Sequence, residues 1–295
     1  MTTLSTPAVR ERPGDTTAGT SPAPVAPVLS VRQVRISDRV TDREIVHGVS
    51  FDLTPGRTVG IVGESGSGKT LTCRAALGVL PPHFEVSGGT IAIDGTDIST
   101  LTPQRWTALR GDTISAVFQD PASYLNPSIR VGAQIAEVVR VKKKVRRREA
   151  RQRALDLLGA VRLRDPHLVY DRYTYELSGG MLQRVLIAAA IAADPQILIA
   201  DEATTALDVT VQAEVLDLLA DLRERTGLAL VIVSHDLAVV AQLCDEVLVM
   251  RQGEVVEQGP TEAVLHHPRH AYTRLLIDEH EQYGLEKFLA PKEEG

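Results

Sequence analysis

A glycine-rich segment, Gly63-Glu64-Ser65-Gly66-Ser67-Gly68-Lys69-Thr70, limits what this chain can fold into. It fits the pattern G-x-x-x-x-G-K-[ST], follows a β-branched run at residues 58–62 and precedes a helical pattern. Its glycines let backbone N–H groups point at phosphate oxygens, and the positive end of the following helix adds to the attraction. We expect Lys69 to reach the β- and γ-phosphates of a nucleotide and Thr70 to bind Mg²⁺. The sequence therefore predicts a P-loop rather than an ordinary glycine-rich turn.

Asp201 and Glu202 form a second candidate site, directly after the apolar run at residues 197–200. The carboxyl end of a buried parallel strand is where α/β sheets bind ligands. Asp201 would hold Mg²⁺ through water, and Glu202 would orient and polarise the attacking water as general base. Carboxylates also suit the start of a solvated helix, but the P-loop upstream favours the catalytic interpretation.

Two further polar residues close predicted strands. His235 follows the apolar run at residues 228–233, so it shares a sheet edge with Asp201 and would contact the γ-phosphate. Gln119 follows another apolar strand end, and its amide could reach Mg²⁺ or the attacking water. The residues alone leave the role of Gln119 undecided.

Composition sets limits on the class of protein. The 295 residues are 43% hydrophobic and carry a net charge of -6. This balance argues against a nucleic-acid-binding protein, because phosphate binding depends on clustered Lys and Arg. Residues 142–153 are basic but contain no interleaved aromatic residue, which favours a solvated helix face. Residues 1–27 are rich in Thr, Pro, Ala and Ser and are predicted to be a disordered N-terminal tail.

Strand and helix patterns alternate along most of the chain. Strands are predicted at residues 28–36, 45–53, 58–62, 88–94, 113–118, 197–200, 228–233 and 247–250. Helices at residues 211–225 and 237–243 separate the later strands, which predicts a parallel sheet flanked by helices. Asp94-Gly95 predicts a hairpin turn. Residues 121–182 have helical spacing and are predicted to be an inserted helical subdomain.

The segment Leu177-Ser178-Gly179-Gly180-Met181-Leu182-Gln183-Arg184 resembles the signature of ABC ATPases. It lies between Gln119 and the acidic pair, as in that family, and Ala206-Leu207-Asp208 follows as their D-loop does. Ser178, Gly179 and Gly180 open a predicted helix, so a hydroxyl, N–H groups and the helix dipole form a second phosphate cradle. The resemblance implies that two ATPase subunits pair head to tail, and that each signature caps the ATP on the other subunit's P-loop.

This resemblance covers residues 28–284 and leaves residues 285–295 as a C-terminal tail. It implies an α/β fold, a P-loop NTPase of ABC type that has a mixed sheet core, an antiparallel β subdomain and the inserted helical subdomain. ATP and Mg²⁺ are the implied cofactors. The implied catalytic residues are Glu202, His235 and Gln119, and the implied metal-binding residues are Thr70, Gln119 and Asp201. Nucleotide binding is implied for residues 63–70 and for Ser178, Gly179, Gly180, Gln183 and Asp208.

One departure from the family concerns the adenine. No aromatic residue lies between Val34 and Asp42, where many ABC ATPases stack the base. Ile36 is expected to offer only apolar contact there.

The segments at residues 63–70, 204–209 and 268–276 are similar to the peptide/nickel branch of ABC importers, and His47-Gly48-Val49-Ser50 is similar to its nickel-import members. This implies an ATP-hydrolysing subunit at the cytoplasmic face of the cell membrane, powering import of oligopeptides, nickel or nickel chelates. The implied partners are a second ATPase subunit, identical or different, and two membrane permeases that contact the stretch from Phe118 to Pro127. An extracytoplasmic solute-binding protein would act indirectly, and no nucleic acid is implied.

Two alternatives stand beside this interpretation: a soluble ABC ATPase of DNA repair or translation, and the ATPase of an exporter. The soluble class carries long coiled-coil insertions or two nucleotide-binding domains in one chain, and this sequence shows neither. Exporters often fuse membrane helices to the same chain. The choice between peptide and nickel rests on the resemblance alone.

Overall fold

The computed structural model describes residues 25–204 and 207–281. Most of the tail predicted at residues 1–27, the tail predicted at residues 285–295, and Thr205 and Ala206 lie outside the described residues. Within the described ranges, no helix is both long enough and apolar enough to traverse a lipid bilayer.

A six-stranded sheet in the order β10-β9-β3-β8-β7-β6 forms the centre of the molecule. Its strands are β3 (Thr58–Val62), β6 (Ile114–Phe118), β7 (Ile197–Asp201), β8 (Ala229–Ser234), β9 (Glu246–Arg251) and β10 (Glu254–Pro260). Strands β3, β7 and β8 are buried along their whole length, as expected for apolar runs covered on both faces. All neighbours pair in parallel except β10, which is antiparallel to β9. The predicted parallel sheet is confirmed, with one antiparallel edge strand added.

A second, four-stranded antiparallel sheet has the order β2-β1-β4-β5. Its strands are β1 (Leu29–Asp38), β2 (Arg43–Leu53), β4 (Phe84–Ile93) and β5 (Thr96–Asp97). Asp94 and Gly95 connect β4 to β5 with φ angles of 47° and 71°, the left-handed backbone that a tight hairpin requires. The predicted hairpin is therefore confirmed. The apolar side chains of this sheet share one buried cluster with Ile61 and Leu248 of the central sheet.

The chain between β6 and β7 is helical, as the sequence predicts. Its helices are α3 (Pro121–Tyr124), α4 (Val131–Lys143), α5 (Arg147–Ala160), α6 (Pro166–Tyr170) and α7 (Gly179–Ala190). The helical region extends to residue 190 because α7 leads directly back toward β7. Ile135, Leu158 and Ile187 are fully buried in the cluster that these helices share with the central sheet. In the basic run, Lys143 and Arg153 contact the carboxylate of Asp194 at 2.8 and 3.1 Å, so part of its charge is paired on the fold's own surface.

The remaining helices are α1 (Lys69–Ala76), α2 (Pro103–Asp112), α8 (Val209–Thr226), α9 (Leu237–Leu243), α10 (Thr261–His266) and α11 (Ala271–Glu281). Helices α8 and α9 match their sequence predictions. Strand β10 and helices α10 and α11 have no counterpart there. The residues of β10 are exposed or only half-buried, so its sequence carries little of the alternation that marks a strand.

Candidate functional site

Four neighbouring strands of the central sheet end in line with one another. In the parallel register, Val62 of β3 pairs with Ser234 of β8, Val233 with Asp201 of β7, and Asp201 with Phe118 of β6. The P-loop, His235, Glu202 and Gln119 each follow directly after one of these strand ends. The sheet therefore brings the four sequence-predicted elements to one edge, where open α/β sheets bind ligands.

The P-loop and the acidic pair are in direct contact. The Thr70 hydroxyl donates a hydrogen bond to Asp201 Oδ1 at 3.0 Å, although 131 residues separate them along the chain. The Lys69 ammonium donates to the backbone oxygens of Gly63 and Glu64 at 2.7 and 2.8 Å. A lysine amine, a hydroxyl and a carboxylate therefore converge within one loop and one strand end, as a triphosphate site requires.

Burial shifts the charge states of these groups. Lys69 is 4% exposed and Asp201 is 5% exposed. Burial lowers the pKa of the Lys69 ammonium, and the nearby Glu202 and Asp201 carboxylates offset part of the shift. Burial raises the pKa of the Asp201 carboxyl, and the Thr70 hydrogen bond offsets part of that shift. Keeping Lys69 and Asp201 ionised in this buried site costs free energy. An anionic ligand beside Lys69 and a cation beside Asp201 would lower that cost.

Glu202 adopts a backbone conformation that is unusual for a residue with a side chain. Its φ angle is 50°, and its backbone N–H donates to the Val233 carbonyl at 3.0 Å. Left-handed residues other than glycine cluster at functional sites, where the surrounding structure fixes them. The half-buried Glu202 side chain lines the same cleft as Thr70 of the P-loop.

A cleft of about 480 Å³ lies between the P-loop and the acidic pair. Ser65, Thr70, Arg74, Phe118, Gln119, Asp120, Ser123, Tyr124, Asp201 and Glu202 line it. Gln119 thus shares a cleft with the predicted metal-binding and catalytic groups, while the exposed His235 lies at the same sheet edge outside this lining.

Arg74 also lines this cleft but was not predicted from the sequence. It lies four residues after Thr70 on α1, so the two residues share one helix face.

The P-loop glycines differ in how much room surrounds them. Gly63 has φ of 146°, and a Cβ atom there would lie 2.0 Å from the Met250 carbonyl oxygen, whereas Gly66 has φ of 80° and open space around it. We expect Gly63→Ala to lower the free energy of unfolding by about 3 kcal/mol or more, because a backbone clash adds to the strained φ. Gly66→Ala, the matched control, should cost only about 1–2 kcal/mol. Urea unfolding of both variants measures the difference, and equal losses would contradict this account of Gly63.

The signature segment begins a helix at the protein surface. Ser178 is the N-cap of α7, and its hydroxyl accepts the Met181 N–H at 3.4 Å. Ser178 and Gly179 are exposed. A separate cleft of about 590 Å³ adjoins Ser178 and Gly180, and it shares no lining residue with the cleft at the P-loop. The signature is therefore open to a second molecule and lies apart from the P-loop cleft of its own chain.

Gly180 is enclosed more tightly than its neighbour. A Cβ atom at Gly180 would lie 2.5 Å from Val211 Cγ1, while one at Gly179 would lie 3.9 Å from the nearest side-chain atom. The first turn of α7 therefore packs directly against α8, and this contact fixes where the exposed N–H groups point.

Burial and hydrogen bonding bear on three of the expected nucleotide contacts. Gln183 is 1% exposed and faces the interior side of α7, so the structure does not place it at an open nucleotide surface, and its nucleotide contact stays a prediction. Ile36 is 0% exposed, so the expectation that it contacts adenine is wrong, because it packs under the antiparallel sheet. Asp208 is exposed and its Oδ1 accepts the Val211 N–H at 3.0 Å, which caps α8. A nucleotide contact of Asp208 stays a prediction.

A residue that was not predicted from the sequence to belong to the site also contacts the P-loop. The Tyr272 hydroxyl accepts the Glu64 N–H at 3.0 Å. Tyr272 lies in the segment at residues 268–276, which carries the family resemblance. That segment has no known phosphate-binding pattern, so the resemblance alone did not indicate a contact with the P-loop.

The raised pKa of Asp201 predicts a stability effect. The folded protein binds this proton at higher pH than the unfolded chain does, so ionised Asp201 destabilises the fold at neutral pH and the penalty fades as pH falls through the raised pKa. Asp201→Asn keeps an oxygen for the Thr70 hydroxyl and carries no charge. We expect it to raise the Tm of the nucleotide-free protein by roughly 1–3 °C at pH 7.

Scanning calorimetry across pH checks this expectation. The gain in Tm should shrink as the pH is lowered from 7 through the raised pKa of Asp201, because the wild-type carboxyl then becomes protonated. Asp217→Asn, an exposed position on α8, is the matched control and should leave the Tm unchanged. A lower Tm in Asp201→Asn, or a gain that does not vary with pH, would contradict the assigned cause.

Comparisons with known proteins agree with this geometry. A family model described as ABC transporter matches residues 46–205. The chain is 43% identical over 268 residues to the probable D,D-dipeptide transport ATP-binding protein DdpD of Escherichia coli (strain K12), covering 90% of this chain and 82% of that protein. It is 40% identical over 250 residues to the metal-staphylopine import system ATP-binding protein CntD of Staphylococcus aureus (strain NCTC 8325), covering 85% and 92%.

The fold is similar to the dimeric, post-hydrolysis state of the ATP-binding cassette MJ0796 bound to ADP and Pi. That match has a TM-score of 0.70 at 27% identity and covers 79% of this chain and 98% of the other. The predicted fold class and the family resemblance are confirmed. The chain belongs to the ABC transporter family, as an ATP-binding subunit that hydrolyses ATP.

Proposed function

We propose that this chain binds ATP with Mg²⁺ between its P-loop and its acidic pair, and that a second ATPase subunit completes the site with its own signature. The observation that carries the proposal is the hydrogen bond from Thr70 to Asp201, which joins the two elements at one sheet edge. The exposed Ser178 supports the second half, because a phosphate cradle outside the chain's own cleft suits a companion subunit.

The donor set fits a magnesium ion. Mg²⁺ prefers oxygen ligands such as carboxylates and hydroxyls. The Thr70 hydroxyl and the Asp201 carboxylate already meet, and Gln119 lines the same cleft. Thr70, Asp201 and Gln119 would hold the ion, and its positive charge would stabilise the charge that develops on the transferred phosphoryl group.

Three residues of the chain would take separate roles in ATP hydrolysis. Lys69, released from the carbonyls of Gly63 and Glu64, would bind the β- and γ-phosphates. Glu202 would orient a water in line with the γ-phosphorus and take its proton as the new P–O bond forms and the bond to ADP breaks. His235 would donate to the γ-phosphate. ATP would draw two subunits together, and hydrolysis would let them separate.

The stretch from Phe118 to Pro127 is the proposed contact with the membrane permeases. The Phe118 and Tyr124 rings stack with centroids 4.9 Å apart, and Asp120 caps the short helix α3 between them. Tyr124 is 50% exposed although it is a large aromatic residue. Both rings also line the nucleotide cleft. This stretch would therefore transmit a conformational change at Gln119 to a helix of a permease.

We propose that the chain, at the cytoplasmic face of the membrane, powers the import of oligopeptides, nickel or nickel chelates. The names of the relatives support this: one is a D,D-dipeptide transport protein and another is part of a metal-staphylopine import system. A solute-binding protein and the permeases would select the solute.

Reconstitution tests the proposal. The chain is expressed together with a partner ATPase subunit and two permease subunits, and the complex is placed in proteoliposomes with a solute-binding protein. Uptake of a labelled dipeptide or of a nickel chelate should require both ATP and Mg²⁺, and the choice between the two solutes is read from which one accumulates. ATP hydrolysis without uptake of either would overturn the assigned transport role.

A further inference from the structure

The hydroxyl of Tyr272 reaches the P-loop from the far end of the described chain. Tyr272 is the second residue of α11 and is 2% exposed. It accepts the backbone N–H of Glu64 at 3.0 Å, across 208 residues of sequence. The family model matches residues 46–205 only, so this contact comes from a part of the chain beyond that match.

Glu64 is held on its other side as well. Its carbonyl oxygen accepts the Lys69 ammonium at 2.8 Å and the Ser67 N–H at 3.2 Å. The peptide groups before and after Glu64 are therefore both fixed, one by α11 and one by the loop itself. The neighbouring Gly63 packs against the Met250 carbonyl at the end of β9. If the Tyr272 contact were lost, the Glu64 N–H would no longer be constrained.

The Tyr272 ring is itself held in place. The Arg251 guanidinium lies 4.7 Å from its ring centroid, a distance typical of a cation–π contact. Arg251 directly follows Met250, so the strand that packs against Gly63 also holds the ring that binds Glu64. Burial raises the pKa of the Tyr272 phenol, which keeps this group neutral in the physiological range.

The start of α11 is anchored by a carboxylate. Glu257 of β10 accepts the backbone N–H groups of Arg269 and His270 at 2.8 and 3.1 Å. His270 Nδ1 then accepts the Tyr272 N–H at 3.2 Å. These hydrogen bonds connect β10, the edge strand, to Tyr272 through residues 269 and 270. The segment at residues 268–276 therefore fixes the position of Tyr272, which its sequence alone did not indicate.

We propose that Tyr272 is a positioning residue that holds the first turn of the P-loop in its phosphate-binding shape, so that the C-terminal segment at residues 254–281 sets the affinity for ATP. This inference rests on the proposed nucleotide site. A loop already arranged for its ligand loses less conformational freedom on binding. Because the loop is arranged equally in the ground state and the transition state, the effect falls on KM and on the ATP dissociation constant rather than on kcat.

Tyr272→Phe removes only the hydroxyl and tests the proposal. We expect the dissociation constant and the KM for ATP with Mg²⁺ to rise about five- to tenfold, as for one lost hydrogen bond, with kcat within about twofold of the wild type. In the nucleotide-free protein, the Glu64 amide should exchange its hydrogen faster. Leu275→Ala, on the same helix and 50% exposed, is the matched control and should change neither value.

A second variant covers the case in which Tyr272→Phe lowers stability. Glu257→Gln leaves the tyrosine intact and weakens only the anchor of α11, and it should raise KM by a smaller factor with the same kcat. Unchanged KM together with unchanged Glu64 exchange in Tyr272→Phe would overturn the proposal. A fall in kcat and Tm without faster Glu64 exchange would also overturn it. Absence of ATP binding in the wild type would refute the proposed function instead, and the exchange measurement, made without nucleotide, would still report on the contact.

Discussion

The Glu202→Gln variant should retain ATP and lose turnover. We expect kcat to fall by about 10²–10⁴-fold, which is the usual contribution of a general base, while the dissociation constant for ATP stays within about twofold. The carboxylate leaves the end of β7 with a fixed, left-handed backbone and lines the same cleft as Thr70. Glutamine keeps this shape but cannot take a proton from water.

Steady-state ATPase assays and equilibrium nucleotide binding measure the two quantities separately. Glu224→Gln, an exposed acid near the end of α8, is the control and should behave as the wild type. Trapped ATP should also hold two subunits together, which light scattering would show as an ATP-dependent dimer. Near-normal turnover in Glu202→Gln would reject Glu202 as the base.

Gly180→Ala should also lower ATP turnover strongly, because it displaces the signature and leaves the general base in place. A methyl group there would lie 2.5 Å from Val211 Cγ1, so the first turn of α7 must move away from α8. We expect ATP turnover to fall by at least about 10²-fold, because the displaced N–H groups no longer meet a phosphate. ATP binding to the isolated chain should change less than about twofold, since the signature lies outside the chain's own P-loop cleft.

The matched control for Gly180→Ala is Gly159→Ala on α5. A Cβ atom at Gly159 would make an ordinary contact, 3.7 Å from Pro166, and alanine is the better helix former. This variant should keep full activity. If Gly180→Ala weakened ATP binding by the isolated chain as strongly as it lowered turnover, the signature would serve its own chain, and the paired-subunit proposal would fail.

The parts of the site that follow strand ends could be predicted from sequence. The apolar runs at β3, β7 and β8 are short, buried and bounded by polar residues, so both the strands and the residues after them were identifiable. Because parallel strands end at a common sheet edge, the contact between Thr70 and Asp201 followed from topology. The signature was identifiable only through its resemblance to a family.

Side-chain direction and the C-terminal contacts could not be predicted in this way. Gln183 belongs to the signature by sequence, but its position on α7 turns it into the core. Ile36 lies on the buried face of a twisted strand whose register with β2 shifts at several points, so a simple alternation did not fix its direction. Tyr272 reaches Glu64 from α11, whose start is held by Glu257 of β10, and neither element has a clear sequence pattern.

The central claim is that one ATP lies between the P-loop and acidic pair of one chain and the signature of another. The most direct measurement is a structure of Glu202→Gln with ATP and Mg²⁺ bound. It should show the γ-phosphate within hydrogen-bond distance of Lys69 and of the signature serine of the second subunit, with Thr70 and Asp201 around the same triphosphate. A triphosphate bound away from the cleft between Thr70 and Asp201, or one that contacts Ser178 of its own chain, would contradict the account.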